Sequence, residues 1–177
     1  MGTPVKSESA IHLSYTQGKS LAQQIYFDTL AAIDVRHALL AKLKHEGGAL
    51  VAGEVPLPLL RSPRVVALGK AACRMAAVLD EILSGQLESG VCVSPSLPAH
   101  KLERFRYFVG GHPYPNAGSL EGAQAALDLV SNLSADDFVV FLVSGGGSAL
   151  FELPIDSAIS LADLREFNRI LVTCGLP

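Results

Sequence analysis

Four short apolar stretches, each closed by a glycine, serine or proline turn, set what this chain can fold into. Arg64-Val65-Val66-Ala67-Leu68 stops at Gly69, and Gly90-Val91-Cys92-Val93 opens into a loop carrying Pro95 and Pro98. Phe105-Arg106-Tyr107-Phe108-Val109 stops at Gly110, and the apolar run from Phe138 to Val143 empties into Ser144. Their length and their β-branched and aromatic content mark strands, and the last run reads as a buried one. Helical stretches separate or follow them, Lys70 to Leu83, Ala117 to Leu133 and Leu161 to Thr173, with Asn116 and Ser160 placed as N-caps. Strands alternating with helices of this size imply βαβ crossovers and a mostly parallel sheet covered on both faces. The expected fold class is therefore α/β, in three α/β/α layers.

Ahead of this region the pattern is weaker. Residues 1–17 read as a flexible polar leader. Leu21, Ile25, Leu30 and Ile33 then fall roughly on one helical face. Asp34 reads as the N-cap of a second helix ending at Gly47-Gly48, with Lys42, Lys44 and His45 near its C-terminus. Val55 to Pro63 reads as a connector.

Composition excludes several classes. At 177 residues the chain is about one domain, and 49% hydrophobic residues with a mean hydropathy of +0.35 suit a well-filled core. No apolar run reaches the roughly 18 residues of a membrane span, and the N-terminus lacks the apolar core of a signal peptide. Its Met-Gly start is not a myristoylation signal, because Lys6 stands where Ser or Thr is required. A net charge of −3 argues against nucleic acid as a partner, and Lys101, Arg104 and Arg106 read as a solvated face. Cys73, Cys92 and Cys174 are too widely spaced for a metal or disulfide framework, so buried free thiols in a reducing cytoplasm are expected.

The chemistry gathers at the strand ends. Ligands collect at the carboxyl edge of a parallel sheet. Three loops meet that description: Gly69-Lys70, Gly110-Gly111-His112-Pro113, and Ser144-Gly145-Gly146-Gly147-Ser148. The triple glycine offers a nest of backbone N–H groups between two hydroxyls, a common way to hold phosphate or carboxylate oxygens. An ammonium at a helix N-terminus is electrostatically misplaced unless an anion sits beside it, so Lys70 reads as a charge that neutralises a phosphate. The alternative is a surface lysine reaching for water. His112 stands as a general base, a ligand contact or a loop histidine bonded to backbone. Ser144 and Ser148 read as donors to an anion. They are not nucleophiles, because Leu150 occupies the place of the second glycine of a nucleophile elbow. Gly18-Lys19-Ser20 lacks the upstream glycine and the strand of a phosphate-binding P-loop, and no Gly-x-Gly-x-x-Gly occurs. Asp136-Asp137 starts a strand at the far end of the sheet from these loops, Glu152 lies nearer, and no Mg²⁺ ligand is assigned.

Together, Val66-Ala67-Leu68-Gly69-Lys70-Ala71-Ala72, Gly110-Gly111-His112-Pro113-Tyr114-Pro115 and Leu142-Val143-Ser144-Gly145-Gly146-Gly147-Ser148-Ala149-Leu150 resemble the class II, MOFRL-type glycerate kinases. Leu153-Pro154 and the segment from Leu164 to Leu176, including Asn168 and Gly175, also look like that family, some of whose members carry hydroxypyruvate reductase names. The resemblance runs from about Ala22 onward, so that 18–177 would be the N-terminal part of a large, Rossmann-like domain. It implies ATP-dependent, Mg²⁺-dependent phosphorylation of D-glycerate to 2-phosphoglycerate in the cytoplasm. Lys70 would steady the transferring phosphoryl group. Gly69, Gly111, His112 and the Ser144 to Ser148 loop would line the nucleotide and substrate cleft. Family members are more than twice as long and close the cleft with a second, smaller domain, so the 177-residue chain alone is expected to lack useful kinase activity. The other readings are an NAD(P)H-dependent hydroxypyruvate reductase and a non-catalytic anion-binding remnant. A homo-oligomer is compatible with all three.

Overall fold

The computed structural model describes residues 13–175, and the described chain falls into two compact units, one up to Asp34 and one from Val35 onward. The first holds helix α1 (Tyr15–Ala32), opened by a capping box in which the Ser14 hydroxyl accepts from the Gln17 N–H and the Gln17 side chain returns to the Ser14 N–H. The helix thus starts five residues before Ser20. Most of the expected leader, residues 1–12, lies outside the described residues. Leu21, Ile25, Leu30 and Ile33 are all exposed, so the stripe they form is not a core face within this unit.

The second unit opens differently from the expectation. Helix α2 (Val35–Leu40) is a turn and a half, and a three-stranded antiparallel meander follows: β1 (Leu43–Glu46), β2 (Ala49–Ala52) and β3 (Val55–Pro58). The long second helix and the connector over 55–63 are both corrected by this sheet. Gly47 and Gly48 both take positive φ, 59° and 76°, the geometry of a two-residue hairpin turn rather than of a helix C-cap. Glu46 pairs with Ala49 directly across it.

The main sheet is parallel, in the order β6-β5-β4-β7, from β4 (Arg64–Leu68), β5 (Ser89–Ser94), β6 (Phe105–Val109) and β7 (Val139–Val143). Helix α3 (Ala72–Ile82) covers one face and α4 (Ala117–Val130) the other. Strand alternation assigns the side chains. Val65, Ala67, Cys92 and Leu142 join Met75, Ala76 and Leu79 on the α3 side, while Val66, Val91 and Val93 join Ala125 and Ala126 on the α4 side. The three-layer α/β/α expectation is met.

Strand β7 departs from the reading of a strand buried on both faces. Among the described residues it is an edge strand paired only with β4, and α4 packs over β5 and β6, so Phe141 and Val143 stay 58% and 64% exposed. A one-turn helix, α5 (Gly147–Leu150), begins on the last of the three glycines, and α6 (Leu161–Thr173) starts from the Ser160 cap. Among the described residues no helix is long and apolar enough to cross a membrane.

The basic residues set aside as a solvated face each have structural partners. Arg104 donates to the Leu87 and Gly85 carbonyls, Arg106 lies over the Phe108 ring, and Lys101 lies over the Tyr107 ring.

Candidate functional site

The parallel sheet sends the ends of β4, β5, β6 and β7 to one edge, and the loops there are fastened to one another. Gly69 ends β4 at φ +108°, and a methyl group on it would sit 2.4 Å from both the carbonyl and the hydroxyl oxygen of Ser144. Only glycine allows the β4 and β7 loops to approach this closely. The approach is stitched by hydrogen bonds. The Ser144 N–H donates to the Leu68 carbonyl, the Lys70 N–H to the Gly145 carbonyl, and the Ala71 N–H to the Ser144 hydroxyl, each at 3.0 Å. The Ser144 hydroxyl donates to Leu68 O at 3.3 Å. Its single proton is therefore engaged within the protein, and Ser144 holds the two loops together.

Ser148 is exposed and carries no such duty. Among the described residues, the Gly145, Gly146 and Gly147 N–H groups have no acceptor in the protein. This leaves the glycine loop with donors to offer.

The β6 loop reaches the same place. A methyl on Gly146 would lie 3.1 Å from His112 Cδ2 and 3.3 Å from its Nε2, so the exposed imidazole borders the glycine loop. Behind it, the Gly111 N–H donates to the buried Ser119 hydroxyl. Asn116 caps α4, its Oδ1 accepting from the Ser119 N–H at 2.9 Å. Gly110 sits under the Leu150 carbonyl, which ties the β6 loop to α5.

Lys70 lies on the other side of the β4 turn. Its exposed side chain lines a concavity of about 410 Å³ between the first turns of α3 and the loop after β5. Arg74, one helical turn on, lines it as well, together with Cys73, Ser94, Ser96 and His100. The structure thus gathers the expected residues into two adjoining groups, His112 with the glycine loop and Lys70 with the β5 loop, joined by the Gly69–Ser144 contact. The second group was missed in the sequence beyond Lys70. Its signals were there: Arg74 follows Lys70 at i+4, and the β5 loop is also a strand end.

Asp136 and Asp137 lie where expected, at the start of β7, and meet Arg61 rather than the loops. Gly18-Lys19-Ser20 lies inside α1 and forms no loop. Among the described residues no three His, Cys, Asp or Glu side chains converge as a metal site would require.

Glu152 is partly buried behind α5 and accepts from the Asn168 amide at 3.3 Å. Burial raises its carboxyl above the ordinary range, and the Asn168 hydrogen bond opposes that only in part. The folded state then holds this proton more tightly than the unfolded chain does. The stability it contributes is present at low pH and is lost as pH rises through the raised value. Glu152→Gln keeps the acceptor without the charge. It should be more stable than the parent near pH 7 and equal to it near pH 3.5, as read by urea unfolding at both pH values.

Comparison with known proteins places the chain in a family. The model of the family described as "Domain of unknown function (DUF4147)" matches residues 21–177. The chain belongs to that family. It is 34% identical over 157 residues to the glycerate 2-kinase of Pyrococcus horikoshii, covering 89% of this chain and 35% of that one. The crystal structure of a glycerate kinase from Thermotoga maritima superposes with a TM-score of 0.71 at 29% identity, over 92% of this chain and 36% of the other. A protein from Agrobacterium vitis that carries a hydroxypyruvate reductase name is 38% identical over 111 residues, 63% of this chain and 29% of the relative. The chain spans about a third of the length of these relatives.

Proposed function

We propose that this chain forms part of a glycerate 2-kinase, supplying one wall of the cleft in which ATP phosphorylates the 2-hydroxyl of D-glycerate. The observation that carries the reading is the pairing of two cations, Lys70 and Arg74, in one concavity with a loop of unengaged N–H donors one strand away. Pockets of this size commonly hold a small ligand, and phosphate oxygens are met by such cations and donors. Relatives named as glycerate 2-kinases support the choice of substrate.

Phosphoryl transfer asks a protein mainly to position the reactants and to offset charge building on the transferring group. In this reading the Lys70 ammonium meets that charge. The Gly145 to Gly147 amides and the Ser148 hydroxyl hold oxygens of the nucleotide or of the glycerate carboxylate, and His112 borders them. Mg²⁺ would supply further charge neutralisation, and among the described residues no ligand set for it converges. Cytoplasmic location belongs to the same reading, since ATP and small hydroxy acids meet there.

Calorimetry and two assays test the proposal. The purified chain should bind ATP, and ADP release with glycerate should be negligible, because most of the relatives' length lies outside it. Steady NADH oxidation with hydroxypyruvate would instead establish the reductase. Absence of ATP and glycerate binding would overturn the proposal.

A further inference from the structure

Cys73 and Cys92 are 19 positions apart in the chain, yet their sulfur atoms lie 3.4 Å from one another. Cys73 sits in the first turn of α3 and lines the Lys70 concavity, half-open to solvent. Cys92 lies beneath it on β5 and is fully buried. A disulfide needs the sulfurs at about 2.05 Å, so closing the pair takes a movement of roughly 1.4 Å.

From this we propose that Cys73 and Cys92 form a dithiol modification site, in which hydrogen peroxide reaching the concavity oxidises Cys73 and Cys92 resolves it to a disulfide. The chemistry is that of a half-buried, solvent-reachable attacking sulfur with a buried partner. The Cys73 thiolate attacks one oxygen of the peroxide, the O–O bond breaks, and Cys73 becomes a sulfenic acid while the departing hydroxide takes up a proton as water. The Cys92 sulfur then attacks the sulfenic sulfur. The S–S bond forms, the S–O bond breaks, and the hydroxide leaves with the Cys92 proton as a second water. Overall two thiols lose two hydrogens and one peroxide is reduced to two waters.

The surroundings divide the two roles. The Cys92 thiol hydrogen-bonded to Cys73 lowers the Cys73 pKa to about 6, against an opposing effect of burial and with help from Ser94, 3.1 Å away. The same contact and burial push Cys92 strongly upward, keeping it protonated. The first turn of an eleven-residue helix also favours an anionic sulfur at position 73. A cross-link here would fasten the start of α3 to β5, the two elements that frame the concavity. The inference is independent of which substrate the concavity takes.

The test uses the whole chain, treated with hydrogen peroxide, blocked with N-ethylmaleimide under denaturing conditions and digested with trypsin. Cleavage after Lys70, Arg74 and Lys101 puts Cys73 in peptide 71–74 and Cys92 in peptide 75–101. The expected product is these two peptides joined, at their summed mass less two hydrogens. In Cys92→Ala the resolving thiol is gone, and Cys73 should be captured by dimedone as a sulfenic acid. Maleimide on both Cys73 and Cys92 in the peroxide-treated parent would overturn the proposal, as would dimedone capture at Cys92 instead of Cys73.

Discussion

Gly69→Ala should lower the stability of the chain by roughly 3 kcal/mol. The added methyl would meet Ser144 O and Oγ at 2.4 Å, and one of the two is backbone that cannot swing away. The φ of +108° adds strain for any residue with a Cβ. Strain of that kind costs about 1–3 kcal/mol and overpacking a tight contact costs a similar amount, so the two together set the estimate. In a domain of this size that corresponds to a melting temperature lower by about 6–12 °C. The control is Gly145→Ala, the residue next to Ser144 in the chain but open: a methyl there has nothing within 4 Å, and the variant should melt close to the parent. Equal melting temperatures for Gly69→Ala and the parent would mean that the two loops are not held at this distance.

That contact also shows what could and could not be read from the residues alone. The parallel sheet was legible because its strands are short, largely apolar runs ended by glycine, serine or proline turns, with helix-length stretches between or after them, a local signal for a local property. The meander over 43–58 was not. Lys42, Lys44 and His45 look like the basic end of a helix, and Gly47-Gly48 looks like its stop. Only pairing with Ala49 to Ala52 turns the same residues into a hairpin, and pairing is a property of two segments. The β7 run is apolar on both faces, which suggested burial on both. Its edge position, set by the order of the whole sheet, leaves Phe141 and Val143 uncovered. At the candidate site, the strand-end rule singled out Lys70, His112 and the glycine loop, which the fold brings to one edge of the sheet. It treated Ser144 as a donor for an anion, whereas the cross-sheet approach of β4 and β7 uses that proton for Leu68. The Cys73–Cys92 contact was hidden for the same reason, since spacing along the chain says nothing about a helix laid across a strand.

Lys70→Ala should separate function from folding. The side chain is exposed, and among the described residues its ammonium group makes no hydrogen bond or ion pair; the backbone N–H that donates to Gly145 is kept in the variant. Surface changes of this kind move stability by about 0.5 kcal/mol or less, so the melting temperature should stay within about 2 °C of the parent. Binding of ATP should fall much further. A hydrogen bond between an ammonium and a phosphate contributes about 1.5–3 kcal/mol, which converts to a loss of roughly 10- to 150-fold in affinity. Lys70→Arg keeps the charge but replaces a compact ammonium with a planar fork on a longer stem, and should recover part of the affinity. Titration of the three proteins with ATP, each checked by melting, decides the matter. Unchanged ATP affinity in a folded Lys70→Ala chain would remove Lys70 from the site and leave Arg74 and the glycine loop as its anion-binding elements.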